Sequence, residues 1–121
     1  MKLYTLQIAN YKAAIRESLL LYDTTVKSGG NSPFKPTWDI VLKHKDGKIT
    51  DKEYTDIYLD LMRESYTKRK KEWIEFLKQE RAVVACYCKS ECFCHRFLLA
   101  DILAKVAKYH VIPFQYLGEL K

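Results

Sequence analysis

The sequence predicts an α/β fold, a Rossmann-like three-layer sandwich around a small, mostly parallel sheet. Two observations support this prediction. Short apolar runs typical of buried strands alternate along the chain with longer segments in which apolar residues recur at the helical period. Strands that alternate with helices pair in parallel through right-handed crossovers, and the helices then cover the faces of the sheet.

The first half of the chain supplies two strands and two short helices. Residues 1–9 alternate in apolar character as a strand does, and residues 11–18 can form a short helix. The apolar run at 19–22 ends abruptly at polar residues, so we interpret it as a buried strand that opens into a loop. A short helix around 38–42 stops before the turn at 46–47.

The second half opens with a strong helix start, because Thr50 and Glu53 have the spacing of a capping box. The apolar face of this helix continues to about residue 79, and the pattern allows a bend in the helix at 66–69. The remaining elements are a buried strand at 82–86, an amphipathic helix at 95–109 and a final strand at 111–117. The predicted order is β-α-β-α-α-β-α-β, in a single domain over residues 1–121.

Length and composition exclude several classes of protein. The chain has 121 residues, of which 48% are hydrophobic and 30% charged, so it is long enough for one core and is not disordered. No segment approaches the about 18–20 apolar residues of a membrane span. The opening segment lacks the pattern of a signal peptide. We therefore expect a cytoplasmic protein with no membrane partner, in which cysteines stay reduced.

The net charge of +6 favours an anionic partner. Much of the excess lies in the basic run at 68–71, which is typical of a solvated helix face. A nucleic-acid interface at this run is therefore an alternative and not the leading hypothesis. The sequence leaves the oligomeric state open, homo-oligomers included.

The loop after the second predicted strand is the first candidate site. In open parallel sheets, ligands bind beyond the carboxyl ends of the strands. Here that position holds a carboxylate, hydroxyls and an amine that can hold a sugar and a phosphate, with two glycines that let backbone approach closely. The residues are Asp23, Thr24, Thr25, Lys27 and Ser28.

The second candidate site is the stretch ACYCKSECFCHR at 85–96, which contains all four cysteines. Three interpretations fit it. A metal site would use Cys88, Cys92, Cys94 and His95, with zinc as the metal. A reactive thiol would be Cys94, with Cys88 as an alternative or a partner, because a helix N-terminus lowers a thiol pKa. An anion cradle would combine the first helical turn with Arg96 and needs no metal.

The cradle interpretation leads, so no cofactor is predicted and zinc remains the alternative. Cys86 is interpreted as a small buried hydrophobe in the core strand. If the site is catalytic, Asp23 would act as base or nucleophile and His95 as acid, with Cys94 as a nucleophile. Further ligand contacts are predicted from Trp38, Arg63, Tyr66, Tyr87, Cys88 and Glu119.

The combined motifs resemble the uncharacterised domain family "four-eight-eight", and in particular its short phage and prophage members. The segments that carry the resemblance are 23–29, 36–39, 65–66, 86–88 and 93–96, and they span most of the chain. The resemblance implies a Rossmann-like fold with a site around the Cys94-His95-Arg96 signature, and it implies no particular activity. It suggests a phage setting inside a bacterial cytoplasm.

The leading functional hypothesis is therefore a domain that binds a phosphorylated small molecule, such as a nucleotide or nucleoside derivative. The phage setting adds a nucleotide-derived host-defence signal as a candidate ligand. One alternative is a hydrolase or transferase that processes nucleotides or nucleosides in the same pocket. The other is a zinc-containing or basic nucleic-acid-binding module.

Overall fold

The sheet is entirely parallel. In this computed structural model, which describes residues 1–87 and 93–121, four strands form one sheet. The strands are β1 (Lys2–Gln7), β2 (Leu21–Asp23), β3 (Arg81–Cys86) and β4 (Gln115–Leu120). They lie in the order β2-β3-β1-β4, with every neighbouring pair parallel. The predicted α/β fold with a small, mostly parallel sheet is confirmed.

Helices connect these strands. In the described ranges they are α1 (Tyr11–Arg16), α2 (Trp38–Lys45), α3 (Asp51–Lys68), α4 (Lys70–Leu77) and α5 (His95–Tyr109). The single helix predicted over 50–79 is divided at Arg69, whose φ of −127° and ψ of 34° are not helical. This break lies within the segment where the sequence left a bend open. None of the helices in these ranges is long and apolar enough to cross a membrane.

The predicted capping box is present at the start of α3. The Thr50 hydroxyl accepts a hydrogen bond from the Glu53 backbone N–H at 3.1 Å, and the Glu53 carboxylate accepts one from the Thr50 N–H at 3.0 Å. Each residue satisfies a backbone donor that the first helical turn leaves without a partner. The start of the longest helix is therefore specified locally.

The two faces of the sheet are covered unequally. On one face, Leu3 and Val84 pack in a cluster built from α3, α4 and α5 around Trp73. On the other face, Leu6 and Val83 pack against the small α1 and its neighbours. Successive strand residues point to opposite faces, which is why one strand feeds both clusters. The result is a three-layer sandwich with one thick and one thin helical layer.

The last strand begins later than the sequence predicts. Val111 follows α5 in a left-handed conformation, with φ of 55°, so the predicted start at 111 is a turn and the strand spans Gln115–Leu120. The ladder between β1 and β4 shifts register beside Gly118, whose φ is 98°. Leu3 pairs with Tyr116 before the shift and Thr5 pairs with Glu119 after it, so both β4 side chains face the α5 layer.

Candidate functional site

A cleft opens at the carboxyl edge of the sheet, where β2 and β3 end. This cleft, called here the first cleft, has a volume of about 550 Å³. Four aromatic rings line it, from Trp38, Tyr54, Tyr87 and Phe93. Its floor is formed by Cys86, Cys94 and His95. The position agrees with the rule that ligands of parallel α/β sheets bind beyond the carboxyl ends of the strands.

The loop after β2 is held in shape by Asp23. The Asp23 carboxylate accepts hydrogen bonds from the Thr25 N–H at 2.9 Å, from the Thr25 hydroxyl at 2.7 Å and from the Ser28 hydroxyl. A Cβ at Gly29 would collide with the carbonyl oxygens of Thr25 and Asp23, the latter at 2.8 Å, so only glycine fits there. This loop carries Thr25 and Lys27 to the wall of the first cleft.

His95, the first residue of α5, joins this helix to the end of β2. Its Nε2 lies 3.0 Å from the carbonyl oxygen of Thr24, which can only accept, so Nε2 carries the proton. The Thr24 hydroxyl, 2.9 Å from Nε2, donates to the carbonyl oxygen of Ala85 at 2.9 Å. Burial lowers the pKa of His95 to about 4. The imidazole is therefore neutral at pH 7, with a lone pair on Nδ1.

Two cysteines meet at the floor of the first cleft. Cys86 is the last residue of β3 and Cys94 immediately precedes α5, and they are 1% and 3% exposed. Their sulfur atoms are paired as a disulfide, with the Cα atoms 7.9 Å apart. The Cys94 sulfur also lies 3.8 Å from Nδ1 of His95. The sequence placed Cys86 in the core, which is correct for its burial, but the expectation that the cysteines stay reduced is contradicted by this pairing.

Arg96 lies beneath the cysteines and is fully buried. Its Nε and Nη2 donate to the two carboxylate oxygens of Glu119 at 3.1 and 2.7 Å, which is a bidentate ion pair. Its Nη1 donates to the sulfur of Cys86 at 3.0 Å. The guanidinium that the sequence assigned to an external anion thus has internal partners, because the β4 register shift brings Glu119 to it.

The structure gathers some of the sequence-predicted residues and separates others. Those that line the first cleft are Thr25, Lys27, Trp38, Tyr87, Cys94 and His95. Those that support it from its loop or from below are Asp23, Thr24, Ser28, Arg96 and Glu119. Cys88 and Cys92, predicted for ligand or metal, lie outside the described residues.

Arg63 and Tyr66 do not reach the first cleft. Arg63 is exposed and pairs with Asp60 at 2.8 Å. The Tyr66 hydroxyl contacts His110 at 2.5 Å, just beyond the end of α5. His95 begins the same helix, and fifteen helical residues span about 22 Å. Tyr66 therefore lies at the opposite end of the sheet from the site.

One wall of the first cleft was predicted from the sequence only in part. Trp38, Val41, Leu42 and Lys45 of α2 all line it, and they have the i, i+3, i+4, i+7 spacing of one helical face. The sequence predicted the helix and a ligand contact from Trp38, but the other three residues were not predicted. Trp38 is 49% and Leu42 47% exposed, so the stripe faces an opening and not the core. Its helical spacing was the signal available.

Zinc is not favoured by this arrangement. The ligand atoms of Cys86, Cys94 and His95 lie within 4.8 Å of one another, close enough to surround an ion. The disulfide between the two cysteines nevertheless engages both sulfurs, and zinc binds thiolates. Of the four predicted metal ligands, Cys94 and His95 are together at the floor, and Cys88 and Cys92 are outside the described ranges.

A second cleft of about 460 Å³ lies on the other side of the β2 loop. The charged residues of its lining are all acidic, namely Asp23, Glu72 and Glu75. The first cleft instead has Lys27 and Lys45 in its lining and no carboxylate among the described lining residues. The two clefts thus have opposite electrostatic character.

Together, the fold and the first cleft define a small Rossmann-like α/β domain with a candidate ligand site at the carboxyl edge of its sheet. A comparison with protein-family models matches residues 6–107 to DUF488-N3a, described as "Active DUF488-N3 subclade". The chain therefore belongs to this DUF488 family of domains of unknown function, and the resemblance to the family, though not to its phage members, is confirmed. Comparison with curated proteins and with solved structures found no match.

Proposed function

We propose that the first cleft binds a planar, phosphorylated small molecule, a nucleotide or nucleoside derivative. The observation that carries the proposal is the composition of the cleft wall. Four aromatic rings and two lysines line it, and no carboxylate is present among the described lining residues. Aromatic faces suit a nucleobase, lysines suit a phosphate, and the volume of about 550 Å³ suits a mononucleotide.

The half-exposed rings are the stacking surfaces in this proposal. Trp38 and Tyr87 are 49% and 50% exposed, so both rings present accessible surface to a base. The hydroxyl of Tyr87 lies 2.8 Å from that of Ser28, which fixes the ring against the β2 loop. A fixed aromatic ring loses little conformational entropy when a ligand binds.

Lys27 and Lys45 are the phosphate contacts. Neither forms an ion pair with a residue in the described ranges, in contrast with the basic run at the end of α3. Lys27 Nζ lies 5.8 Å from the centre of the Tyr87 ring, so the amine and the stacking surface are neighbours. Arg96 does not contact the phosphate in this proposal, because its buried guanidinium binds Glu119 and Cys86.

Tryptophan fluorescence tests the proposal directly. The chain has two tryptophans. Trp38 lines the first cleft, and Trp73 is fully buried in the core, so a ligand in the cleft is expected to quench Trp38 alone. Titration with adenosine, guanosine, cytidine and uridine monophosphates should give saturable quenching that disappears in Trp38→Phe. Calorimetry of the same panel with no heat of binding and no quenching would contradict the proposal.

The phosphate contacts are tested by a matched pair of variants. Lys27→Gln with Lys45→Gln should weaken nucleotide binding about tenfold and leave nucleoside binding nearly unchanged, because each lost charge contact is worth about 1 kcal/mol or less. Lys52→Gln with Lys105→Gln removes the same charge from exposed ion pairs elsewhere and is the control. Equal weakening in both pairs would mean that net charge, and not the cleft, attracts the ligand.

A catalytic version of this function is favoured by one contact. Nδ1 of the neutral His95 faces the sulfur of Cys94, and with the disulfide reduced this is an arrangement of base and nucleophile. Asp23 accepts three hydrogen bonds inside its own loop, so we assign this chemistry to Cys94 and His95. The family description includes the word "Active". Chromatography after incubation separates the two versions, since a pure binding protein returns the nucleotide unchanged.

The biological setting that we propose is a phage-encoded protein in a bacterial cytoplasm, with a nucleotide-derived host-defence signal as its ligand. The proposal rests on the motif resemblance and on the chemistry of the first cleft. Cyclic mononucleotides and dinucleotides therefore belong in the titration panel. Native mass spectrometry of the freshly purified protein reports retained nucleotide, bound zinc and subunit number in one measurement. Recovery of stoichiometric zinc would favour the zinc-containing alternative.

A further inference from the structure

The floor of the first cleft brings together two cysteines with different neighbours. The Cys86 sulfur accepts a hydrogen bond from Nη1 of Arg96 at 3.0 Å. The Cys94 sulfur faces Nδ1 of His95 at 3.8 Å. A guanidinium stabilises a thiolate, and a neutral imidazole can take a proton from a thiol. The Cys86 sulfur is therefore suited to be a thiolate, and the Cys94 thiol is suited to lose its proton to His95 during the reaction.

The identity of the base follows from the hydrogen-bond network. The Nε2–H of His95 is fixed by the Thr24 carbonyl oxygen, so the lone pair is on the Nδ1 side that faces Cys94. Burial keeps this ring neutral near pH 7, because it holds the pKa of His95 at about 4. His95 is thus a proton acceptor that passes the proton on and does not retain it.

Both sulfurs line the first cleft. Cys86 and Cys94 are nearly buried, yet both line the first cleft, so a small reagent in that cleft reaches them. No carboxylate lies in the described lining to repel a thiolate or its anionic reaction partner.

We propose that Cys86 and Cys94 form a redox-active dithiol that a small-molecule disulfide oxidises through the first cleft. Cys94 gives its proton to Nδ1 of His95, and the Cys94 sulfur attacks one sulfur of the reagent. A mixed disulfide forms, and the first leaving thiolate takes the proton from His95. The Cys86 thiolate then attacks the Cys94 sulfur, which forms the protein disulfide and releases the second thiolate. Two electrons pass from the protein to the reagent.

This activity does not depend on the proposed nucleotide ligand, because the exchange needs only an open cleft. The two proposals therefore fail separately. A chain that binds no nucleotide leaves the thiol exchange testable, and a redox-inert pair leaves the nucleotide titration valid.

The test uses the full chain with Cys88→Ser and Cys92→Ser, so that only the two proposed cysteines remain. The reduced protein is mixed with bis(2-hydroxyethyl) disulfide, quenched by alkylation and analysed by peptide mass spectrometry. We expect a Cys86–Cys94 disulfide, two equivalents of released thiol and no retained adduct. Dithiothreitol should then restore both thiols without unfolding, as followed by circular dichroism.

Single variants in the same background assign the two roles. Cys86→Ser should retain one equivalent of the reagent on Cys94 as a stable mixed disulfide. The rate of Cys94→Ser should be lower by a factor of about ten or more, because this substitution removes the thiol that faces Nδ1 of His95. His95→Asn should slow the exchange of Cys94 most at low pH, whereas a purely structural role would leave the pH profile unchanged.

The outcomes that overturn the proposal are distinct. A disulfide that is reduced only after unfolding in urea would be a structural bridge. Cys94→Ser reacting as fast as its parent would remove Cys94 from the reaction. If a variant loses its fold, the unsubstituted chain still decides the matter, since its Cys86 and Cys94 must interconvert between dithiol and disulfide while the circular dichroism spectrum stays native.

Discussion

The two clefts on either side of the β2 loop are similar in volume and opposite in chemistry. The first, at about 550 Å³, has lysines, aromatic rings and a floor of cysteines and histidine. The second, at about 460 Å³, has Asp23, Glu72 and Glu75 as its charged residues. Volume alone therefore does not identify a site. The groups that a cleft presents, and whether those groups already have partners, decide what it can bind.

The two clefts also differ in whether their charged residues form ion pairs within the protein. Glu72 of the second cleft forms an ion pair with Arg69, whereas Lys27 and Lys45 of the first have no ion pair with a described residue. Charges paired inside the protein gain little from a ligand, and charges without a partner can gain more. The first cleft is also backed by buried contacts that link Thr24 to His95 and, through the two cysteines, reach Arg96 and Glu119.

The largest effect is expected from breaking the support of the first cleft. Arg96→Met should lower the free energy of unfolding by about 3–5 kcal/mol, because it leaves the Glu119 carboxylate without its buried partner. Urea denaturation measures this. Arg96→Met combined with Glu119→Leu should recover much of the loss, and Arg63→Ala, which removes an exposed pair, should cost less than about 0.5 kcal/mol. Similar costs for Arg96→Met and Arg63→Ala would contradict the buried network.

The second effect is a pH dependence that originates in the floor of the first cleft. Burial lowers the pKa of His95 from 6.5 to about 4. Between these values the unfolded chain binds a proton and the folded chain does not, so stability falls as pH falls. The loss approaches about 3 kcal/mol at pH 4, at 1.36 kcal/mol for each pH unit. Urea titrations between pH 7 and pH 4 measure it.

The control for this pH dependence is His95→Gln. The variant keeps a side chain that can donate to the Thr24 carbonyl oxygen and removes the proton site. Its stability should vary less with pH between 6.5 and 4 than that of the parent chain. Parallel curves for the two proteins would place the titration in other groups.

The third effect compares the clefts by charge reversal. Lys45→Glu in the first cleft should weaken nucleotide binding about tenfold or more. The substitution removes an attraction of about 1 kcal/mol and adds a repulsion of about 1 kcal/mol. Glu75→Lys in the second cleft should change binding by less than about twofold. Fluorescence titration of Trp38 measures both. If Glu75→Lys strengthens binding as much as Lys45→Glu weakens it, the ligand responds to overall charge.

The smallest effect is expected at the basic run. Lys68 pairs with Glu64 at 2.6 Å and Lys71 with Glu75 at 3.9 Å, and all four side chains are largely exposed. Replacing Lys68 and Lys71 by Gln should alter nucleotide binding less than about twofold, since these charges are solvated and paired. A filter-binding assay with single- and double-stranded DNA completes the test. A large loss of DNA affinity in this variant would favour the nucleic-acid-binding alternative.

Local signals were reliable where neighbouring residues decide the structure. The capping box at Thr50 follows from hydrogen bonds that span three residues, and the strands of the core follow from short apolar runs. The boundaries of β4 were less accurate, because the left-handed turn at Val111 and the register shift near Gly118 depend on packing against α5 and β1.

The position of the candidate site was predicted from the sequence, but several of the residues that form it were not. The loop at 23–28 and the start of α5 were identified because both follow strand ends. Of the wall formed by α2 only Trp38 was predicted, and Arg63 and Tyr66 were assigned to a site that they do not reach. Residues on one face of a helix lie at different heights along the sheet. Their spacing in the sequence does not show which end of the sheet each residue is near.

The sequence by itself determined the fold class, the order of elements and the family, because apolar periodicity, caps and motifs are local properties. Only the tertiary structure decided that Arg96 pairs with Glu119, that Cys86 meets Cys94, and that the lysines of α2 and the β2 loop share one cleft. These contacts join residues from different elements. Their formation depends on strand register and helix placement, which the whole core specifies and no short segment contains.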